Sequence, residues 1–134
     1  VKLDFYLVHE SAGFLVFWFM LVRIGARFYH RAPSLFGTTF ERVAARTVHG
    51  LIYIFLIVMP VSGFLATNAH GFPLQWFGAI PIWSPIDKSP AIAPALSEIH
   101  EWSAWIILGL LALHIMAAIY HHLIRRDATL YRIL

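Results

Sequence analysis

The chain has 134 residues, 60% hydrophobic and 13% charged, with a mean hydropathy of +0.71; ordinary soluble domains are roughly 45–50% apolar and about 25% charged. This excess makes lipid the expected solvent and argues against a soluble domain. The formal net charge of +3 comes without a continuous basic patch interleaved with stacking aromatics, so no nucleic acid is expected as a partner.

A helix rises about 1.5 Å per residue and needs about 20 apolar residues to cross about 30 Å of hydrocarbon. The first candidate span covers residues 3–27, with an uncharged interior over 11–22 between Glu10 and Arg23. Long side chains such as arginine reach from a helix end to the interface. The unbroken row from Gly13 to Val22 leaves no polar face, which favours a span over an amphipathic helix lying on the surface. The second span is expected over 46–69, of which 47–69 carry no Asp, Glu, Lys or Arg. Pro60 removes a backbone donor inside it and predicts a kink near residues 59–63. A loop over 71–94 follows, punctuated by Pro73, Pro81, Pro85, Pro90 and Pro94, and reads as ordered turns or surface segments outside the membrane. The third span is expected over 97–124, with 102–124 again free of charge. The fold class is therefore all-α, an integral membrane helical bundle with three transmembrane helices in a single domain over 1–134.

Arg23, Arg27, Arg31, Arg42, Arg46, Arg125, Arg126 and Arg132 fall at one end of these spans, and only Lys2 and Lys88 at the other. The positive-inside rule then places the loop around Pro33 and the C-terminus in the cytoplasm, and the proline-rich loop outside. Val1 stands where a methionine would begin a chain, and no signal-like series precedes the first span, so a preceding segment is expected.

The chain holds no cysteine, which excludes cysteine-ligated iron–sulfur clusters and thioether-attached haem. Its eight histidines are the unusual feature, since an imidazole inside a bilayer is costly and is expected to serve a function. His100 and His114 are 14 residues apart. On a helix that puts them about 40° apart in rotation and about 21 Å apart in height, one face at two depths. Such a helix suits a stack of two haems, each iron needing an axial imidazole. The first and third spans run in the same direction, so His9 and His100 share the outer depth and are expected to ligate one iron from opposite sides. Gly13, one turn after His9, leaves room for a flat macrocycle; small residues also serve plain helix packing. The competing reading for each of these histidines is a hydrogen bond to a neighbouring helix. His30, His70, His121 and His122 sit at span ends or in loops and are expected to be solvated or interfacial. His49 lies near the depth of His114, where it could complete a second bis-histidine site, donate to a haem propionate, or belong to a proton or quinone site. Arg23, 14 residues after His9, shares that depth and suits bidentate pairing with a propionate, or simply extends to the interface.

Taken together, these stretches resemble the bacterial cytochrome b561 family: Val8-His9-Glu10-Ser11-Ala12-Gly13 leading to Leu21-Val22-Arg23, Thr47-Val48-His49-Gly50-Leu51-Ile52-Tyr53 with Met59-Pro60-Val61-Ser62-Gly63, Gly71-Phe72-Pro73-Leu74-Gln75-Trp76-Phe77-Gly78, Ile99-His100-Glu101, and Leu113-His114 followed by His121-His122. The resemblance implies a location in a bacterial inner membrane and a four-helix bundle with two haems b near opposite membrane faces, His9 and His100 on the outer one and His114 on the inner. It places the second inner ligand on a helix preceding Val1, so that here His49, a helix from another chain or a missing N-terminal segment fills that place or the inner site is empty, and one or two haems b are expected. Glu10 stands where many relatives carry a basic residue. The resemblance further implies electron transfer involving quinones, with superoxide oxidation coupled to ubiquinone reduction in one member type, and makes Arg23, His49 and Tyr53 candidates for a quinone site. A redox partner protein is expected beside membrane lipid and quinone. The alternatives are the cytochrome b subunit of a larger dehydrogenase or hydrogenase complex, a histidine-lined proton or metal transporter, or a purely structural membrane anchor. A transporter should need carboxylates in its spans, and the second and third have none.

Overall fold

The computed structural model describes residues 2–30 and 37–126; Val1, Arg31 and Arg132 lie outside them. The long apolar runs form helices, because a backbone in lipid must satisfy its own donors and acceptors. Helix α1 spans Lys2–Tyr29, α2 Thr39–His70 and α3 Ala93–Tyr120, and a π-helical turn, His121–Arg125, continues α3. All three helices are long and apolar enough to cross a membrane.

The helices outrun the apolar stretches because local chemistry extends their ends. Thr38 and Glu41 form a capping box at the start of α2: the Glu41 amide donates to Thr38 Oγ1 at 3.3 Å and the Thr38 amide donates to Glu41 Oε2 at 2.6 Å. Gly71, at φ 91°, closes the helix in the left-handed region, where glycine carries no steric penalty. Between these caps α2 runs without a break through Pro60. The loop after α2 is ordered and includes a short antiparallel ladder, β1 (Gln75–Trp76) with β2 (Ile80–Pro81), in the register Gln75 to Pro81 and Trp76 to Ile80.

Helix α2 packs against both α1 and α3 and runs antiparallel to them. The bundle consequently has a loop end, holding the loop after α2, and an arginine-rich end. Burial concentrates towards the loop end, where Ser11, Ala69, Leu74 and Ala93 are enclosed. Along the whole bundle large apolar side chains face outward, among them Phe5, Phe19, Trp102 and Trp105. A helix surface of this composition is stable against hydrocarbon and not against water.

Candidate haem-binding histidine pairs

The antiparallel arrangement gathers four of the histidines into two pairs, one at each end. At the loop end the rings of His9 on α1 and His100 on α3 lie edge to face, 5.9 Å between centroids. Phe5, one turn before His9, stacks beside it with an interplanar angle of 15°. His100 Nδ1 lies 2.7 Å from the Met59 carbonyl oxygen. A carbonyl only accepts, so Nδ1 carries the proton and donates. The bare lone pair is then on Nε2, which leaves that nitrogen free to bind a metal.

Two features of α2 create this seat. Ser62 Oγ also donates to the Met59 carbonyl, at 3.0 Å, so that oxygen serves both groups. At Gly63 a Cβ would stand 2.7 Å from His100 Nδ1 and 2.8 Å from Cε1, so only glycine lets the ring lie where it does. Gly13 has nothing within 4 Å of the place its Cβ would take, consistent with open space beside His9. Above the pair, Thr67 Oγ1 lies 2.9 Å from both Glu10 Oε1 and the Phe72 carbonyl oxygen, and the Phe77 amide donates to Ser11 Oγ at 2.8 Å. These bonds fix the loop on the turn of α1 that carries His9.

At the arginine-rich end the rings of His49 on α2 and His114 on α3 are 5.1 Å apart, both half-buried. Arg23 Nε donates to the Tyr53 hydroxyl at 3.2 Å, which brings together two of the three residues read as a polar cluster at this depth. The remaining histidines of the described residues stay out of these pairs: His70 Nε2 lies 3.1 Å from Ser97 Oγ, and the His121 ring lies edge-on to Tyr120. Sequence reasoning found all four paired histidines and missed the Met59 carbonyl and Gly63, whose role depends on a contact across 41 positions. The signal available was a glycine one turn after Met59.

No group of three or more His, Cys, Asp or Glu side chains able to hold a bare metal ion occurs among the described residues. Paired imidazoles are what a macrocycle-bound iron asks of a protein, since the macrocycle supplies the other ligands. The residues therefore fit haem better than a bare cation.

The whole chain, residues 1–134, matches the family described as prokaryotic cytochrome b561. The chain belongs to that family. It is 30% identical to cytochrome b561 homolog 2 of Escherichia coli (strain K12) over 129 residues, covering 95% of this chain and 69% of that protein. It is 28% identical to cytochrome b561 homolog 1 of the same organism over 130 residues, 94% of this chain and 72% of the relative. A protein of Yersinia pestis named probable superoxide oxidase CybB is 25% identical over 130 residues, 96% and 73% of the two chains. The chain is accordingly a multi-pass bacterial membrane cytochrome of electron transfer, built as a helical bundle.

Proposed function

We propose that this cytochrome carries electrons through haem b held between paired histidines and exchanges them with quinone. The observation that carries the reading is the His100 seat: Nδ1 donates to the Met59 carbonyl at 2.7 Å, which leaves the Nε2 lone pair for a metal, with the His9 ring 5.9 Å away. Haem b, when bound, supplies a one-electron iron couple.

His9 and His100 are the ligands at the loop end, with Gly63 seating the His100 ring and Gly13 leaving space beside His9. His114 is a ligand at the arginine-rich end, where His49 faces it across 5.1 Å. Arg23 is suited to pair with a haem propionate there, because its planar guanidinium matches a carboxylate. The 14 residues between His100 and His114 put the two sites on one face of α3, about 21 Å apart in height. The close approach of Arg23 to Tyr53, with His49 one turn away on α2, supports a polar site for a quinone ring at this end. The name of the Yersinia pestis relative supports oxidoreductase chemistry of the same kind. The arginine-rich end is assigned to the cytoplasmic face of the inner membrane.

Haem per chain, measured by alkaline pyridine spectroscopy, tests the assignment. Two haems b are expected for the native chain, one in His100→Ala and one in His114→Ala. His49→Ala reads the remaining position: loss of the second haem makes His49 its other ligand, and full retention assigns that ligand to another segment. A native chain that takes up no haem would overturn the proposal. Reduction of the bound haem by a short-chain ubiquinol, slowed in Tyr53→Phe with haem content unchanged, is the expected result for the quinone site.

A further inference from the structure

We infer that the exposed face of the α1–α2 crossing at the arginine-rich end binds the phosphate headgroup of an anionic phospholipid through Arg27 and Arg46. The register of the two helices sets the geometry. Glu10 on α1 meets Thr67 on α2, and 13 residues further along α1 Arg23 meets Tyr53, 14 residues back along α2. Each step forward on α1 is thus matched by a nearly equal step back on α2, and continued from Arg23 this register puts Arg27 opposite His49 and His30 opposite Arg46. Arg46 is three residues before His49 and on the same side of α2, since positions three apart are neighbours on a helix surface. Arg27 and Arg46 therefore flank one stretch of the α1–α2 crossing, and both are exposed.

Their charge is uncompensated within the described residues. The one carboxylate of the described residues at this end is Glu41, and it is taken by Arg125 and by the Thr38 amide. Arg42 donates to the Gly37 carbonyl at 2.8 Å and to Thr39 Oγ1 at 3.2 Å. Neither Arg27 nor Arg46 has a hydrogen bond or ion pair among the described residues. The surface of α2 is open at Gly50, one turn after Arg46, where nothing lies within 4 Å of the place a Cβ would take.

Depth identifies the ligand. Arg23 and Arg27 differ by about 6 Å in height at 1.5 Å per residue, close to the roughly 5–7 Å that a headgroup layer adds to each side of the hydrocarbon. The guanidinium fork matches a phosphate, and basic pockets between helices at such depths suit acidic lipid headgroups. An anionic phospholipid meets all three conditions: negative charge, phosphate geometry and residence in this layer. The inference stands on the helix register and the membrane setting alone, independently of haem.

The test is native mass spectrometry of the purified cytochrome from mixed micelles of dioleoyl-phosphatidylglycerol and dioleoyl-phosphatidylcholine. The native chain is expected to retain phosphatidylglycerol preferentially. The double variant Arg27→Gln with Arg46→Gln should lose that preference by roughly twenty-five-fold, about a factor of five per arginine. A charge-matched control, Lys88→Gln with Arg126→Gln, should keep it. Equal retention by the Arg27 and Arg46 variant, or equal loss by the control, would overturn the inference. Should the double variant fail to fold, the native chain in nanodiscs serves instead. Its thermal midpoint is expected to be higher in phosphatidylglycerol than in phosphatidylcholine, with the difference removed by 0.5 M salt, consistent with a Debye length below about 8 Å; identical midpoints would equally overturn it.

Discussion

A methyl group on residue 63 and the His100 ring would claim the same volume, because the Cβ would come within 2.7 Å of Nδ1 and nearly as close to Cε1. Gly63→Ala is therefore expected to push the ring off the Met59 carbonyl and to release the proton from Nδ1. The histidine would then populate both tautomers, which nitrogen NMR of labelled His100 reads directly, and the lost bond should cost about 0.5–1.5 kcal/mol of stability. Gly109 provides the contrast, since a Cβ there meets nothing within 4 Å. Gly109→Ala is expected to leave the His100 tautomer unchanged and to stabilise α3 by about 0.5–1 kcal/mol through reduced backbone freedom in the unfolded chain. If both alanines shift the tautomer alike, the seat described for His100 is wrong. In the sequence, residues 59–63 are marked only by Pro60, read as the place of a kink in a helix that runs through it unbroken. Their service to His100 was not legible, because nothing local in the sequence records which ring from α3 arrives there.

At the scale of elements, the apolar runs located the three helices, while their polar ends lay beyond the reach of hydropathy. The first seven residues of α2 are helical because the Thr38 and Glu41 box satisfies its opening amides. That pattern of threonine followed three residues later by glutamate is readable in the sequence and sets the boundary better than hydropathy does. The loop after α2 shows the opposite case. Its prolines announced turns, but its attachment to α1 depends on Ser11, which is fully buried and looks in the sequence like any small residue of a membrane helix. Ser11→Ala would remove the partner of the Phe77 amide, and because Phe77 is itself exposed, water can take up part of the loss, leaving a cost of about 0.5–1.5 kcal/mol. The expected outcome is faster hydrogen exchange at Phe77 and its neighbours and earlier proteolysis of the loop, with α2 and α3 unaffected. Unchanged exchange at Phe77 would mean that the loop is held by other contacts, such as the bond from the Ser89 amide to the Ala69 carbonyl.

For the molecule as a whole, the bundle and its two histidine levels were legible because helix geometry converts spacing into depth, and three antiparallel helices leave few ways to match depths. What spacing could not convey is which ring faces which, and the 5.1 Å between the His49 and His114 rings is the instance that only the packed helices show. Charge asymmetry is likewise a property of the whole chain. Arginines collect at one end of the bundle, where Arg125 also ties the turn after α3 to Glu41 at the start of α2, while Lys88 lies in the loop at the other end. A positively charged loop resists transfer across the membrane, so the arginine-rich end should remain in the cytoplasm. The absence of cysteine makes this directly measurable, because a single introduced thiol has no background. Lys88→Cys is expected to react with a membrane-impermeant maleimide in intact cells with a permeabilised outer membrane, and Arg126→Cys only after the inner membrane is opened. The reverse pattern would place the His9 and His100 pair on the cytoplasmic side. It would also exchange which histidine pair faces the cytoplasm, so the orientation decides from which side each pair can be reached.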